Sequence, residues 1–139
     1  MERRVIFTPD APLSAGGSSQ AVAYNGLLYI SGQLPIDPAT GQMLPRPLNP
    51  MFGGGDQAVD AQVRQCLKNL DAICRAAGAD LSNAITLSIH TPTLIEFAAV
   101  IDRVLGNHFL DAPPTRSMIG VNVLRGNALV QVDAVVPLD

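Results

Sequence analysis

The sequence predicts an α+β fold, in which one mixed six-stranded sheet carries both helices on one face. Two long segments, residues 56–77 and 94–105, repeat apolar residues at spacings of three and four, which is typical of amphipathic helices. Around them lie short runs rich in β-branched and aromatic residues, separated by turn residues. The chain has 139 residues and no internal repeat, so we expect a single domain over residues 1–139.

The N-terminal part predicts three strands, at residues 3–8, 20–24 and 27–31. Asn25-Gly26 separates the second strand from the third, and this dipeptide is the strongest two-residue hairpin signal because both positions tolerate positive φ. We expect Gly32 to end the third strand, where the backbone needs an unusual conformation or a close approach.

Residues 34–55 are predicted to be irregular, because five prolines interrupt them. This length exceeds a normal connection and indicates either a functional loop or a mobile one. Gly53-Gly54-Gly55 precedes the first helix but lacks the lysine and the spacing of a phosphate-binding loop. We expect a flexible lead-in, with Asp56 as the N-cap of the helix.

The first helix is expected to end at Gly78, which is well placed as the residue after its C-cap. Residues 84–90 alternate small or polar residues with apolar ones and predict a strand. Leu87 and Ile89 then share one face of that strand, and His90 points away from it.

The second helix begins with a capping box at Thr93–Glu96 and is expected to end near Gly106. Two strands follow, at residues 118–124 and 128–136, with a turn at 125–127.

Composition excludes some classes of function. Charged residues make up only 15% of the chain, which suggests that other copies of the chain cover part of its surface. The net charge of −3 and the lack of a Lys/Arg run argue against nucleic-acid binding. No apolar run approaches the roughly 18–20 residues of a membrane span, and no signal-peptide pattern is present, so we expect a cytoplasmic protein.

The cysteines and histidines do not indicate a metal site. Cys66 and Cys74, on one helix, would lie about 12 Å apart, which is too far for a disulfide, and are expected to be core thiols. His90 and His108 have no partners at ligand spacing, so no metal is expected.

Arg116 is the residue that most clearly suggests binding. It follows Pro113 and Pro114, which hold the chain extended, and it stands where a strand-like run begins. A planar guanidinium suits a carboxylate or a phosphate. The alternative is a surface arginine in an ion pair.

Six segments, in this order, share their pattern with one protein family: Tyr29–Pro35, Asp37–Gly41, Gln62–Leu70, Ala76–Leu81, Pro114–Ser117 and Gln131–Val136. Together they resemble the RidA/YjgF family of enamine/imine deaminases over about residues 5–136. The resemblance implies a chorismate-mutase-like fold assembled as a homotrimer, with three clefts between subunits. It also implies hydrolysis of enamines and imines such as 2-aminoacrylate to 2-keto acids and ammonia, without metal or organic cofactor.

Carried over to this chain, the resemblance implies that Arg116 clamps the substrate carboxylate and that Asp133 holds the attacking water. The backbone of Gly32 and Met118 would line the pocket, and Ser31 would contribute a hydroxyl. Asp133 also has a simpler interpretation as a solvated carboxylate on the polar face of a strand, and Ser31 as a backbone cap.

The chain departs from the family pattern in ways that indicate a reshaped pocket. Ser18 replaces the usual tyrosine, Met118 replaces a frequent cysteine, and Asp133 is one methylene shorter than the usual glutamate. The segment between Gly41 and Gln62 is also about a dozen residues longer than the usual family loop.

Three alternatives to the small-imine deaminase stay open. One is a pathway-specific deaminase of the 2-aminomuconate type. Another is a keto-acid-binding regulatory trimer without catalysis. The third, a ribonuclease or translation inhibitor, is opposed by the acidic balance and the lack of interleaved basic and aromatic residues.

Overall fold

Two helices and eight strands make up the regular part of the structure, a computed structural model that describes residues 2–138. The helices are α1 (Gly55–Ala77) and α2 (Leu94–His108). The strands are β1 (Arg4–Ile6), β2 (Ala21–Tyr24), β3 (Leu27–Gln33), β4 (Ile36–Asp37), β5 (Gln42–Met43), β6 (Thr86–Thr91), β7 (Thr115–Gly120) and β8 (Gln131–Pro137).

Six of these strands form one sheet in the order β1-β2-β3-β8-β6-β7, and β4 pairs with β5 in a separate ribbon. Neighbours in the large sheet are antiparallel, except for β6 and β7, which run parallel and are joined by α2. The C-terminal strand β8 therefore lies in the middle of the sheet, between β3 and β6. The predicted α+β architecture with a mixed six-stranded sheet is confirmed.

The predicted hairpin is confirmed, since Asn25 and Gly26 have φ angles of 53° and 79°. The expected end of β3 at Gly32 is wrong, because the strand continues to Gln33. Its pairing with β8 shifts between Ile30 and Gln33, so that two residues, Ser31 and Gly32, occupy the space of one. Gly32 therefore lies in a bulge and not at a strand end, and the expected close approach is confirmed, because a Cβ at Gly32 would collide with the Gln131 side chain.

The region between β3 and α1 is more ordered than predicted, since it contains the β4–β5 ribbon and a 3-10 turn at Pro50–Phe52. The prediction of Asp56 as N-cap is also wrong, because α1 is capped by Gly54, whose φ is 74°. A Cβ at the next residue, Gly55, would collide with the Pro50 carbonyl oxygen and the Phe97 ring. The glycines therefore fix the start of the helix through backbone conformation and close approach. At its other end, Gly78 caps α1 with a φ of 78°, as predicted.

Helix α2 starts after Thr93, as predicted, but the capping box is not formed. The Thr93 hydroxyl lies 3.1 Å from the Thr91 hydroxyl instead of accepting from a helix N–H. The helix also runs past Gly106 to His108, two residues further than expected.

Strand β7 starts at Thr115 and not at residue 118, because parallel pairing with β6 aligns Thr115 with Thr86. Residues 121–124 leave the sheet for a 3-10 turn at Arg125–Asn127, so the predicted strand over 118–124 is wrong in its second half. The final strand was predicted from residue 128, but β8 begins at Gln131.

Both helices pack on one face of the sheet, and the core lies between them. Val132, Ala134 and Val136 of β8 are buried there. The opposite face carries Tyr29, Asp133 and Ile119 and has no helix over it; it is called the uncovered face below. Tyr29 and Ile119 are each 47% exposed on it.

Cys66 and Cys74 are free and buried in α1, which confirms their prediction as core thiols. Burial raises the pKa of both thiols, and that of Cys74 to about 12. Within residues 2–138, neither helix has the length and hydropathy needed to cross a bilayer.

Candidate functional site

A cavity of about 250 Å³ opens beside the bulge of β3. Five parts of the chain meet there: the loop before β2, the end of β3, the start of β4, the turn before β8, and the first residue of β8. The lining residues are Pro12, Leu13, Ser14, Ala15, Ser18, Ser31, Gly32, Gln33, Leu34, Ile36, Arg125 and Gln131.

Three of the predicted site residues, Ser18, Ser31 and Gly32, lie together in this cavity. The Ser31 hydroxyl donates a 2.6 Å hydrogen bond to the Ser19 carbonyl, so its oxygen keeps its lone pairs for a ligand. The Ser18 hydroxyl donates to the Ala15 carbonyl at 3.0 Å. Both hydroxyls are thus held by backbone groups and present acceptors to the cavity.

Gly32 permits a close approach between β3 and the Gln131 side chain. A Cβ at Gly32 would lie 2.6 Å from Gln131 Nε2, closer than side-chain atoms can pack. The absence of a side chain at this bulge therefore lets the carboxamide of Gln131 reach the cavity. Sequence reasoning missed Gln131 as a site residue, although strand alternation placed it on the same face as Asp133.

Arg125 is the second lining residue that the sequence did not single out, and it is the charged member of the lining set. It stands in the 3-10 turn, where Gly126 and Asn127 have φ angles of 65° and 59°. The sequence signal was only that of a turn, which gave no reason to place this residue in the same cavity as Ser31.

Arg116 and Met118 lie on the edge strand β7, outside the cavity. The Arg116 Nη2 atom donates to Asp102 Oδ1 of α2 at 3.1 Å, so the predicted alternative of an ion pair is realised within the single chain. Asp102 is exposed, and such exposed pairs contribute little free energy. A competing carboxylate could therefore replace Asp102 at low cost.

Asp133 lies on the uncovered face, opposite Ser88 of β6. Burial raises the pKa of its carboxyl, and the neighbouring His90 and the Ser88 hydroxyl act in the other direction. His90 is on the same face, and its Nδ1 atom is buried without a hydrogen-bond partner among residues 2–138. Asp133 is not a lining residue of the cavity, from which it stands two residues along β8.

The two predicted catalytic side chains do not meet within one chain. Arg116 pairs with Leu87, and Leu87 pairs with Ala134, so Arg116 belongs to the helix-covered face. Asp133 pairs with Ser88 on the uncovered face. Side chains on opposite faces of a sheet point away from each other, so Arg116 and Asp133 of one chain do not converge on a common ligand.

The lining of the single-chain cavity thus includes serines, two glutamines and one arginine, and this set of hydrogen-bond donors is suited to anions. No carboxylate belongs to its lining within residues 2–138, and no three metal-ligating side chains cluster in that part of the chain.

Comparisons with known proteins extend over nearly the whole chain. The family model described as Endoribonuclease L-PSP matches residues 8–137. The RutC family protein y4sK of Sinorhizobium fredii is 42% identical over 133 residues, which cover 96% of each chain. The 2-iminobutanoate/2-iminopropanoate deaminase of Capra hircus is 35% identical over 133 residues, which cover 96% of this chain and 88% of the relative. The Rid-family protein YyfA of Yersinia pestis superposes with a TM-score of 0.86 at 30% identity, over 99% of this chain and 100% of that chain.

Proposed function

This chain belongs to the RidA/YjgF family, and on that premise we propose that it hydrolyses enamine and imine carboxylates to 2-keto acids and ammonia, in clefts between the subunits of a homotrimer. The observation that carries the proposal is the division of the site into two parts. Ser31, Gly32 and Gln131 form one part, and Arg116 on an exposed edge strand forms the other. The relatives named 2-iminobutanoate/2-iminopropanoate deaminase support the reaction class.

The proposed trimer is supported by the surfaces that a single chain leaves open. Strand β7 pairs on one side only, and the uncovered face exposes Val5, Tyr29 and Ile119, whose side chains are 55%, 47% and 47% exposed. Apolar residues on an open sheet face mark an interface. A neighbouring copy that covers this face could bring its own Arg116 to the cavity, and the low charge of the sequence agrees with such an assembly.

The reaction requires little chemistry from side chains, because an imine carbon is already electrophilic. Water adds to that carbon, the nitrogen takes up a proton, and the carbinolamine expels ammonia to leave the keto acid. The Arg116 guanidinium would exchange Asp102 for the substrate carboxylate and fix the distance from the imine carbon to the water. Ser31 would accept from the imine N–H through its free lone pairs.

Two side chains compete for the role of holding the water. Asp133 is the carboxylate that the resemblance implies, and its raised pKa suits proton exchange. Gln131 lies in the cavity but cannot take up a proton. If Asp133 holds the water, Asp133→Asn lowers kcat about 100-fold and removes the acidic limb of the pH profile, whereas Gln131→Ala lowers it less. A larger loss of kcat in Gln131→Ala than in Asp133→Asn would assign the water to Gln131.

Subunit complementation tests the proposal most directly. Arg116→Ala and Gly32→Val each remove a different part of the cleft, so each homogeneous trimer should release keto acid from 2-aminoacrylate at the uncatalysed rate. After equal amounts are unfolded and refolded together, about a quarter of the clefts should combine two native parts, with a corresponding return of activity. Co-refolding without any return would show that both parts act within one chain.

A matched variant separates charge from geometry. Arg116→Lys keeps the charge but loses the planar fork, so we expect a rate between those of the wild type and Arg116→Ala. If the wild type and Arg116→Ala both match the uncatalysed rate across a panel of imino acids, catalysis is not the function.

The second candidate, a keto-acid-binding trimer without turnover, is favoured by one observation, the absence of a carboxylate from the cavity lining within residues 2–138. It predicts calorimetric binding of 2-keto acids that depends on Arg116, together with no acceleration of any imine. Ribonuclease activity, which the description of the matching family model names, is not proposed, because the net charge is −3 and basic residues do not cluster with aromatic ones.

A further inference from the structure

Arg125 is the charged side chain of the cavity, and among residues 2–138 it has no carboxylate within ion-pair distance. Four other arginines have a carboxylate partner: Arg64 and Arg103 contact Asp60, Arg75 contacts Asp71, and Arg116 contacts Asp102. Arg3, Arg4 and Arg46 have no such partner among residues 2–138 either, but they do not line this cavity, so Arg125 is distinguished by its place in the cavity wall. An unpaired guanidinium at the wall of a cavity gives that cavity a positive potential.

The turn that carries Arg125 is closed by its own backbone. Asn127 N–H donates to the Leu124 carbonyl at 3.0 Å, and Ala128 N–H donates to the Arg125 carbonyl. Positive φ at Gly126 and Asn127 makes this tight geometry possible. The backbone at Arg125 is therefore set by the turn itself.

The long segment between β4 and α1 braces this turn from outside. Arg46 Nη1 donates to the Asn127 carbonyl at 2.9 Å, and Met43 Cε lies so close to Gly126 that a Cβ there would stand 2.5 Å from it. The buried Gln62 joins the same parts, since its Oε1 accepts from Leu129 N–H at 2.8 Å and its Nε2 faces the Leu44 and Pro45 carbonyls. The segment that looked unusually long in the sequence thus braces the turn that carries Arg125.

Resting on the proposed function, we propose that Arg125 binds a second anionic group of the substrate, so that the site prefers imines of dicarboxylic acids. Arg116 would hold the carboxylate next to the imine carbon, and Arg125 would hold the distal one. The apolar side chains of Leu13, Leu34 and Ile36 line the same cavity and suit the carbon chain between the two anions. Ser18, without an aromatic ring, leaves room for the longer substrate.

Two imines of equal chain length test the preference. Glutamate and norvaline, each oxidised in situ by an amino-acid oxidase, supply 2-iminoglutarate and 2-iminopentanoate, which differ in the distal carboxylate alone. We expect the wild type to show a kcat/KM at least about 10-fold higher for 2-iminoglutarate, since charge-assisted hydrogen bonds are the strong ones. Arg125→Gln should lower kcat/KM for 2-iminoglutarate about 10-fold more than for 2-iminopentanoate, and Arg125→Lys should fall between it and the wild type.

Arg103→Gln is the matched control, because it removes one positive charge from α2, where Arg103 pairs with Asp60 away from the cavity. It should leave the ratio of the two kcat/KM values unchanged. The inference would be overturned if Arg125→Gln left the ratio of the two kcat/KM values unchanged. It would also be overturned if Arg103→Gln changed that ratio equally.

Binding separates failure of this inference from failure of the proposed function. If the wild type hydrolyses neither imine, calorimetry with 2-oxoglutarate and 2-oxopentanoate still reports on Arg125. Tighter binding of 2-oxoglutarate that Arg125→Gln abolishes supports the second anion site without catalysis. Equal affinities of the wild type and Arg125→Gln for 2-oxoglutarate overturn it.

Discussion

At the residue scale, the cavity depends on side chains that are small or missing. Gly32 lets Gln131 approach β3, and Ser18 stands where a larger side chain would occupy space. The serine hydroxyls donate to backbone carbonyls and so present acceptors. The shape of the cavity therefore depends on the small size of these residues as well as on their polar groups.

Gly32→Ala should damage the site more than the fold. The added methyl would displace the Gln131 carboxamide, a flexible side chain, so we expect at least a 10-fold loss of kcat/KM with less than about 1.5 kcal/mol loss of stability. Gly106→Ala is the matched control, because its Cβ would meet nothing within 4 Å and helix propensity should stabilise it by about 0.5–1 kcal/mol. Imine assays and urea denaturation measure both effects, and a fully active Gly32→Ala would show that the close approach of Gln131 to Gly32 is not needed for hydrolysis.

The stability of the Asp133→Asn variant relative to the wild type should increase as the pH rises. Burial raises the pKa of this carboxyl in the folded state, so its contribution is complete below the unfolded value of 3.8 and is lost as the pH rises through the folded value. Asparagine has no such loss. We therefore expect the difference in Tm, variant minus wild type, to increase as the pH rises above 3.8, and a decreasing difference would contradict the raised pKa.

At the element scale, sequence patterns predicted the helices and turns that depend on neighbouring residues. The stripe of α1 and the hairpin at Asn25–Gly26 could be predicted from neighbouring residues alone. The start of β7 could not, because parallel pairing with β6 sets it at Thr115. Gln131 also escaped prediction, since pairing of β8 with β3, nearly a hundred residues earlier in the chain, brings it to the bulge.

Gln62 is the buried polar residue that ties α1 to the segment before it and to the turn before β8. Gln62→Leu leaves Leu129 N–H and the Leu44 carbonyl without partners, so we expect a loss of about 1–3 kcal/mol in the free energy of unfolding. Gln57→Leu, on the exposed side of the same helix, should change it by less than about 0.5 kcal/mol. Equal losses in the two variants, measured by urea denaturation, would show that the buried hydrogen bonds contribute nothing specific.

At the scale of the whole molecule, one face of the sheet has no helix packed on it. Helices cover one face of the sheet, while Val5, Tyr29 and Ile119 remain exposed on the other. Arg116 and Asp133 lie on opposite faces, so the predicted catalytic pair requires more than one chain. Association and activity are therefore expected to be lost together.

Ile119→Asp should separate the subunits, because it places a charge on the apolar part of the uncovered face. Sedimentation should give the wild type about three times the 14.6 kDa of one chain, and the variant a single chain without imine hydrolysis. Ile95→Asp is the control, since that side chain is 93% exposed at the start of α2 and should leave the mass unchanged. A wild type that sediments as a single chain would contradict the proposed cleft.

The central position of β8 has a consequence for biosynthesis. The strand that pairs with both β3 and β6 follows all the other strands of this sheet in the chain, so a nascent chain that lacks β8 has two sheet fragments without the strand between them. The sheet is therefore expected to form only after β8 has been synthesised, and premature stop codons that remove β8 should yield aggregates or proteolysed fragments instead of a smaller folded unit.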